Sequence, residues 1–148
     1  LTRRMANGPG ADWAYLGMAG AIGSLATSSV LQAVDGIALK VLVDAWAAAP
    51  DAQKATLFQV AFGTRQIEIG LASIVTLLTG LTVCVYGISL IVDRDRPKWL
   101  GSLGIIDGGL LMISGIVTAY TGFSGTAMTL SMPSSTLLLV WVILIFRF

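Results

Sequence analysis

IEIGLASIVTLLTGLTVCVYGISLIV, residues 67–92, decides the fold, because after Glu68 the chain carries no charge until Asp93. A helix needs about 20 mostly apolar residues to cross a hydrocarbon core about 30 Å thick, and this run is long enough. Working outward, the same holds between Asp12 and Asp35, and from Trp99 to Phe146 only Asp107 is charged. That last stretch is too long for one crossing. The turn-forming Thr121-Gly122-Phe123-Ser124-Gly125, followed by Met132-Pro133-Ser134-Ser135, divides it. The expectation is an all-α integral membrane four-helix bundle, one transmembrane domain over 1–148 with spans at about 13–34, 67–92, 99–121 and 134–148. Lipid offers the backbone no hydrogen-bond partners, and the period-2 alternation of a barrel is absent, so helices are the reading.

Composition narrows the function classes. Of 148 residues 55% are hydrophobic and 11% charged, with a mean hydropathy of +0.84, whereas a soluble domain is about a quarter charged. A secreted or cytoplasmic domain is excluded on that ground. There is no histidine and one cysteine, Cys84, so no zinc site, haem ligand pair, Ser-His-Asp triad or Cys-His pair can be assembled within one chain. No metal site, no cofactor and no enzyme activity are expected. A net charge of +1 gives no electrostatic footprint for nucleic acid.

Orientation follows from the basic residues. With a cytoplasmic N-terminus the inner side holds Arg3, Arg4, Arg94, Arg96, Lys98 and Arg147, and the outer side only Lys40, Lys54 and Arg65. The positive-inside rule places both ends in the cytoplasm of a multi-pass cell-membrane protein. Trp13, Trp99 and Trp141 fall near expected interfaces, with Trp141 a candidate for a deeper position. Leu1 stands where an initiator Met is expected, and Leu-Thr-Arg-Arg reads as the inner flank of an earlier span. The expectation is a sequence incomplete at its N-terminus.

The longest polar stretch is Asp35 to Gln66. Its first part repeats apolar residues at helical spacing with Lys40 and Asp44 four apart on one face. Ala49-Pro50-Asp51 then breaks it and starts a helix that can run into the second span. This implies an extramembrane helical hairpin between the first two spans. Trp46, Leu57, Phe58 and Phe62 form a face that packs within the hairpin or docks on headgroups or a partner.

Small residues mark candidate helix contacts. Gly17, Gly20 and Ser24 run down the first span, and Gly104-xxx-Gly108 lies in the third. Such spacing lets backbones approach closely when lipid removes the hydrophobic drive between helices. One face is expected to serve the bundle, and the other is a candidate contact with further subunits.

Charges within spans cost roughly 2.5–3.5 kcal/mol at a helix centre. Asp107, eight residues into the third span, is the candidate intramembrane polar site. Hydroxyls of Ser114, Thr118, Thr76 or Thr79 are its expected partners, and a relay is the alternative. Arg65 and Glu68, three apart, can pair on one helix face, with Asp35 completing a candidate outer polar cluster.

Asp-Gly-Ile-Ala-Leu-Lys (35–40), Val-Asp-Ala-Trp (43–46), Arg-Gln-Ile-Glu-Ile-Gly (65–70), Arg-Pro-Lys-Trp-Leu-Gly (96–101) and Thr-Gly-Phe-Ser (121–124) together resemble a family of uncharacterised multi-span bacterial membrane proteins. The resemblance implies a bacterial inner-membrane location and a further span before the Arg-rich turn at Arg3-Arg4. It supplies no mechanism. The functional expectation is a noncatalytic accessory or structural subunit, with the lipid bilayer and other membrane protein subunits as partners. A small transporter or sensor, with its polar site at Asp107 or at Asp35, Arg65 and Glu68, is the alternative.

Overall fold

The computed structural model describes residues 1–5 and 7–147, and of Arg4 the backbone alone. Phe148, at the end of the expected fourth span, and the Arg4 side chain, in the expected inner basic cluster, lie outside the described residues.

The described chain is helical, with no strand. In order it forms α1 (Thr2–Met5), α2 (Ala11–Ala33), a π-helical segment (Val34–Leu39), α3 (Lys40–Ala48), α4 (Asp51–Val92), α5 (Lys98–Thr121) and α6 (Gly125–Arg147). Four stretches have the length and apolarity to cross a membrane: Ala11–Ala48, Asp51–Val92, Lys98–Thr121 and Gly125–Arg147.

The breaks follow local chemistry. Pro50 is extended (φ −65°, ψ 153°) and precedes α4, whose first turn carries Asp51. Gly122, at φ +63°, is the positive-φ residue that ends α5. The Ser124 hydroxyl accepts the Ala127 amide at 3.2 Å and caps the start of α6. The fourth helix therefore starts at Gly125, nine residues before the expected 134, and Pro133 lies inside it. A glycine stop followed by a serine cap defines the boundary, and a proline inside the helix removes one backbone donor without ending it.

Packing runs in pairs. α4 lies against α2, the π segment and α3 on one side and against α5 on the other, and α5 also carries α6. Among the described residues no Cα of α2 comes within 8 Å of one in α5 or α6, nor one of α4 within 8 Å of α6. The expected bundle is thus an open row, α2-α4-α5-α6, rather than a closed square.

The tightest seam is α4–α5. Buried α5 residues recur every seven positions as Gly101, Gly108, Gly115, as Leu100, Asp107, Ser114, and as Gly104, Leu111, Thr118. Facing them on α4 are Ser73, Gly80 and Gly87, also seven apart and buried. A seven-residue repeat keeps one stripe of each helix against its neighbour along its length. A Cβ on Gly80 would stand 2.6 Å from the Gly108 carbonyl oxygen, and one on Gly87 2.7 Å from that of Gly101. Only glycine fits at so close a backbone approach. Ser73 Oγ donates to the Gly115 carbonyl at 2.9 Å across the same seam. α6 repeats the device with Ala127, Ser134 and Trp141 buried at sevenfold spacing. Trp141 fills the space above Gly104 and donates Nε1–H to the Leu100 carbonyl at 2.8 Å, so it is the buried tryptophan of the three.

At the other edge α1 folds under the α2–α4 pair. Met5 is buried, Thr2 Oγ1 donates to the Ala14 carbonyl at 3.2 Å, and Ser89 Oγ donates to that of Gly10 at 2.7 Å.

Candidate functional sites: a buried carboxyl and an outer ion pair

Asp107 lies on the α5 stripe that also carries Leu100 and Ser114, and its side chain is fully buried. Neither carboxylate oxygen has a hydrogen-bond partner among the described residues, and neither does Ser114 Oγ. Two of the expected hydroxyl partners are engaged within their own helices. Thr118 Oγ1 donates to the Ser114 carbonyl at 2.9 Å and Thr76 Oγ1 to that of Ala72 at 2.8 Å. In helices such i−4 back-bonding is the easiest bond for a hydroxyl to make, because the carbonyl lies within reach of its own turn. Asp107 is therefore a desolvated polar group with no compensating bond, an arrangement that costs about 1–3 kcal/mol or more.

The two small-residue faces both find neighbours inside the chain. A Cβ on Gly17 would meet the Tyr86 ring at 3.0 Å, and one on Gly20 the Thr82 hydroxyl at 2.5 Å, so the α2 face packs on α4. Ser24 continues that face with its Oγ buried and unpartnered. Gly104 and Gly108, read as one motif, serve different neighbours: Gly104 admits Trp141 of α6, and Gly108 abuts Gly80 and Cys84 of α4. The expectation that one face remains for another subunit loses this support. Gly80, Gly87 and Ser73 escape a search for four-residue spacing, and the seven-residue interval is the signal that finds them.

At the expected outer cluster, Arg65 Nη1 donates to both Glu68 oxygens at 3.0 and 2.7 Å. Glu68 is 4% exposed, while the Arg65 side chain is 42% exposed. The guanidinium also sits 4.8 Å above the Phe123 ring in the α5–α6 turn, a cation–π contact that fixes its plane. Asp35 does not join. It is exposed in the π segment, and the ion pairs among the described residues are Lys40–Asp44, Lys54–Asp51 and Arg65–Glu68. The structure therefore brings together two of the three expected residues and adds Phe123.

Where α3 and α4 face each other, Leu39, Val43, Trp46, Phe58, Ala61, Phe62 and Arg65 line an open, apolar groove of about 310 Å³. Phe58 stacks on Phe62 with centroids 6.1 Å apart, and Trp46 tilts against Phe58 at 6.5 Å. Of the expected aromatic face, Trp46, Phe58 and Phe62 gather here.

No family model, curated protein or solved structure matches the chain.

Proposed function

We propose that this chain is a noncatalytic integral membrane protein of a bacterial inner membrane, an accessory or structural subunit whose helix row packs against other membrane proteins. The observation that carries the reading is the open row. Its two edges expose large apolar side chains, with Ile22 and Leu25 on α2 and Ile143 and Phe146 on α6. A further helix can add at either edge without displacing one already present, and in lipid such association rests on packing alone. The noncatalytic part rests on the inventory, with no histidine and a single cysteine. The basic inner residues favour both ends on the cytoplasmic side, and the α3–α4 end then forms the extramembrane hairpin.

The test is photocrosslinking in native membranes from Leu25 and Phe146, followed by purification in mild detergent. Adducts to one defined set of proteins that copurify are the expected result. A lone chain whose only adducts are lipid overturns the subunit reading.

A second reading, a small transporter or sensor using Asp107, is favoured by one observation: that carboxyl is buried without a partner, and intramembrane ionisable groups mark ion and proton paths by default. Asp107→Asn then alters proton-dependent flux or ligand response in reconstituted vesicles. A change confined to thermal stability removes this reading.

A further inference from the structure

We infer that the end of the row carrying the α4–α5 turn selects anionic phospholipids, whose phosphate headgroups meet exposed cations while their acyl chains lie on the apolar side chains beside them. The row brings α1, the start of α2, the turn at 93–97 and the end of α6 to this one end. Thr2 Oγ1 shares a hydrogen bond with Tyr86 Oη at 3.0 Å, which seats α1 against the last turns of α4. The bond from Trp141 to the Leu100 carbonyl sets α6 beside the start of α5. Arg147, six residues after Trp141 in α6, therefore stands about 9 Å further towards the same end.

The two ends of the row treat their cations differently. At the opposite end Lys40, Lys54 and Arg65 each pair with an acid of the same helix. Arg3, Arg94, Lys98 and Arg147 are exposed and join no ion pair among the described residues. Of the acids near them, Asp93 is buried and its Oδ1 accepts the Asp95 amide at 3.2 Å, so it is spent within the turn. Only Asp12 and Asp95 are left exposed against the four unpaired cations. Anionic headgroups supply the missing counter-charge, each Lys or Arg near a charged surface adding about fivefold to association. A soluble phosphate satisfies charge alone, and the neighbours of the cations point instead to a lipid. Val92 near Arg94, Trp99 beside Lys98 and Phe146 beside Arg147 are large, apolar and exposed. Trp13, also exposed, adjoins the Ala14 whose carbonyl holds Thr2, the neighbour of Arg3. Positive charge and exposed hydrocarbon at one level match a headgroup and the first methylenes below it, and tryptophan favours that level.

This assignment rests on the reading of the chain as membrane-spanning, and not on the subunit reading or on which end is cytoplasmic. The experiment reconstitutes the full chain in dioleoylphosphatidylcholine vesicles and compares chain-spin-labelled phosphatidylglycerol with chain-spin-labelled phosphatidylcholine. Electron spin resonance gives the fraction of each label held at the protein surface. Phosphatidylglycerol is expected to be favoured about threefold averaged over both leaflets, from about fivefold at this end and no preference at the other. Molar salt brings the ratio towards parity by screening exposed charge. Arg94→Gln and Lys98→Gln, single changes at exposed positions, each lower the ratio. Combined with Arg3→Gln and Arg147→Gln they bring it to parity, whereas Lys40→Gln with Asp44→Asn at the opposite end leaves it unchanged. Equal association of the two lipids with the unaltered chain overturns the proposal, as does a preference that survives the combined variant with helix content retained. A preference abolished by glycerol phosphate also overturns it, because the ligand is then a soluble phosphate. If neither label is held at the protein surface, the membrane-spanning reading fails and takes this proposal with it.

Discussion

At the residue scale, two adjacent glycines of α5 show how sharply packing discriminates. A Cβ on Gly108 would fall 2.5 Å from the Gly80 carbonyl oxygen and from Cys84 Sγ, whereas one on Gly109 meets nothing within 4 Å. Gly108→Ala must push α4 away and is expected to cost about 1–3 kcal/mol, the scale of overpacking. Gly109→Ala is expected to be neutral or to gain up to about 1 kcal/mol from helix propensity. Thermal melts of the two variants in one detergent check the pair. Asp107 offers the opposite test. Leucine has nearly its shape and brings no polar atoms, so Asp107→Leu removes an uncompensated group and is expected to stabilise by about 1–3 kcal/mol. A lower melting temperature for this variant would show that the carboxyl is compensated by a partner, and would redirect attention to what that partner is.

At the scale of elements, the Arg65–Glu68 pair joins the N-terminal half of α4 to the α5–α6 turn through Phe123. Glu68 is buried and Arg65 is half in solvent, so the pair is worth less than the 3–5 kcal/mol of fully buried partners. Glu68→Gln, which keeps one acceptor for Nη1, is expected to cost about 1 kcal/mol, and Glu68→Ala about 2 kcal/mol. Melting temperatures ordered wild type, Gln, Ala check this, and equal values would mean the contact is not formed in solution. The pairing of residues three apart was legible in the sequence because helical geometry dictates it. Phe123 was not, since it comes from a turn 58 residues beyond Arg65. Asp35 misled for a related reason. Depth counted along a helix does not say which side faces a neighbour, and Asp35 lies exposed in the π segment.

At the scale of the whole molecule, the charge map could reveal the four long helices because each charge inside lipid is costly, so spans are what the charges leave between them. The order of the row was hidden. A spanning helix is apolar on every side, so hydrophobicity carries no direction, and only small residues record where a neighbour comes close. The row predicts a gradient of stability. The α4–α5 seam joins buried backbones along its length, α2 and α6 each have a single long neighbour, and α3 has no buried residue. Local opening costs least where few buried contacts hold an element. Hydrogen exchange read by mass spectrometry in detergent is therefore expected to be fastest in α3 and the first turns of α4. α2 and α6 should be intermediate, and residues 73–87 and 101–115 slowest. The comparison that matters is α2 against α5, because detergent shields both from water and only packing within the chain separates them. An α2 as slow as α5 in the lone chain contradicts the open row. An α2 that slows only in native membranes, with α5 unchanged, locates the edge at which another protein adds.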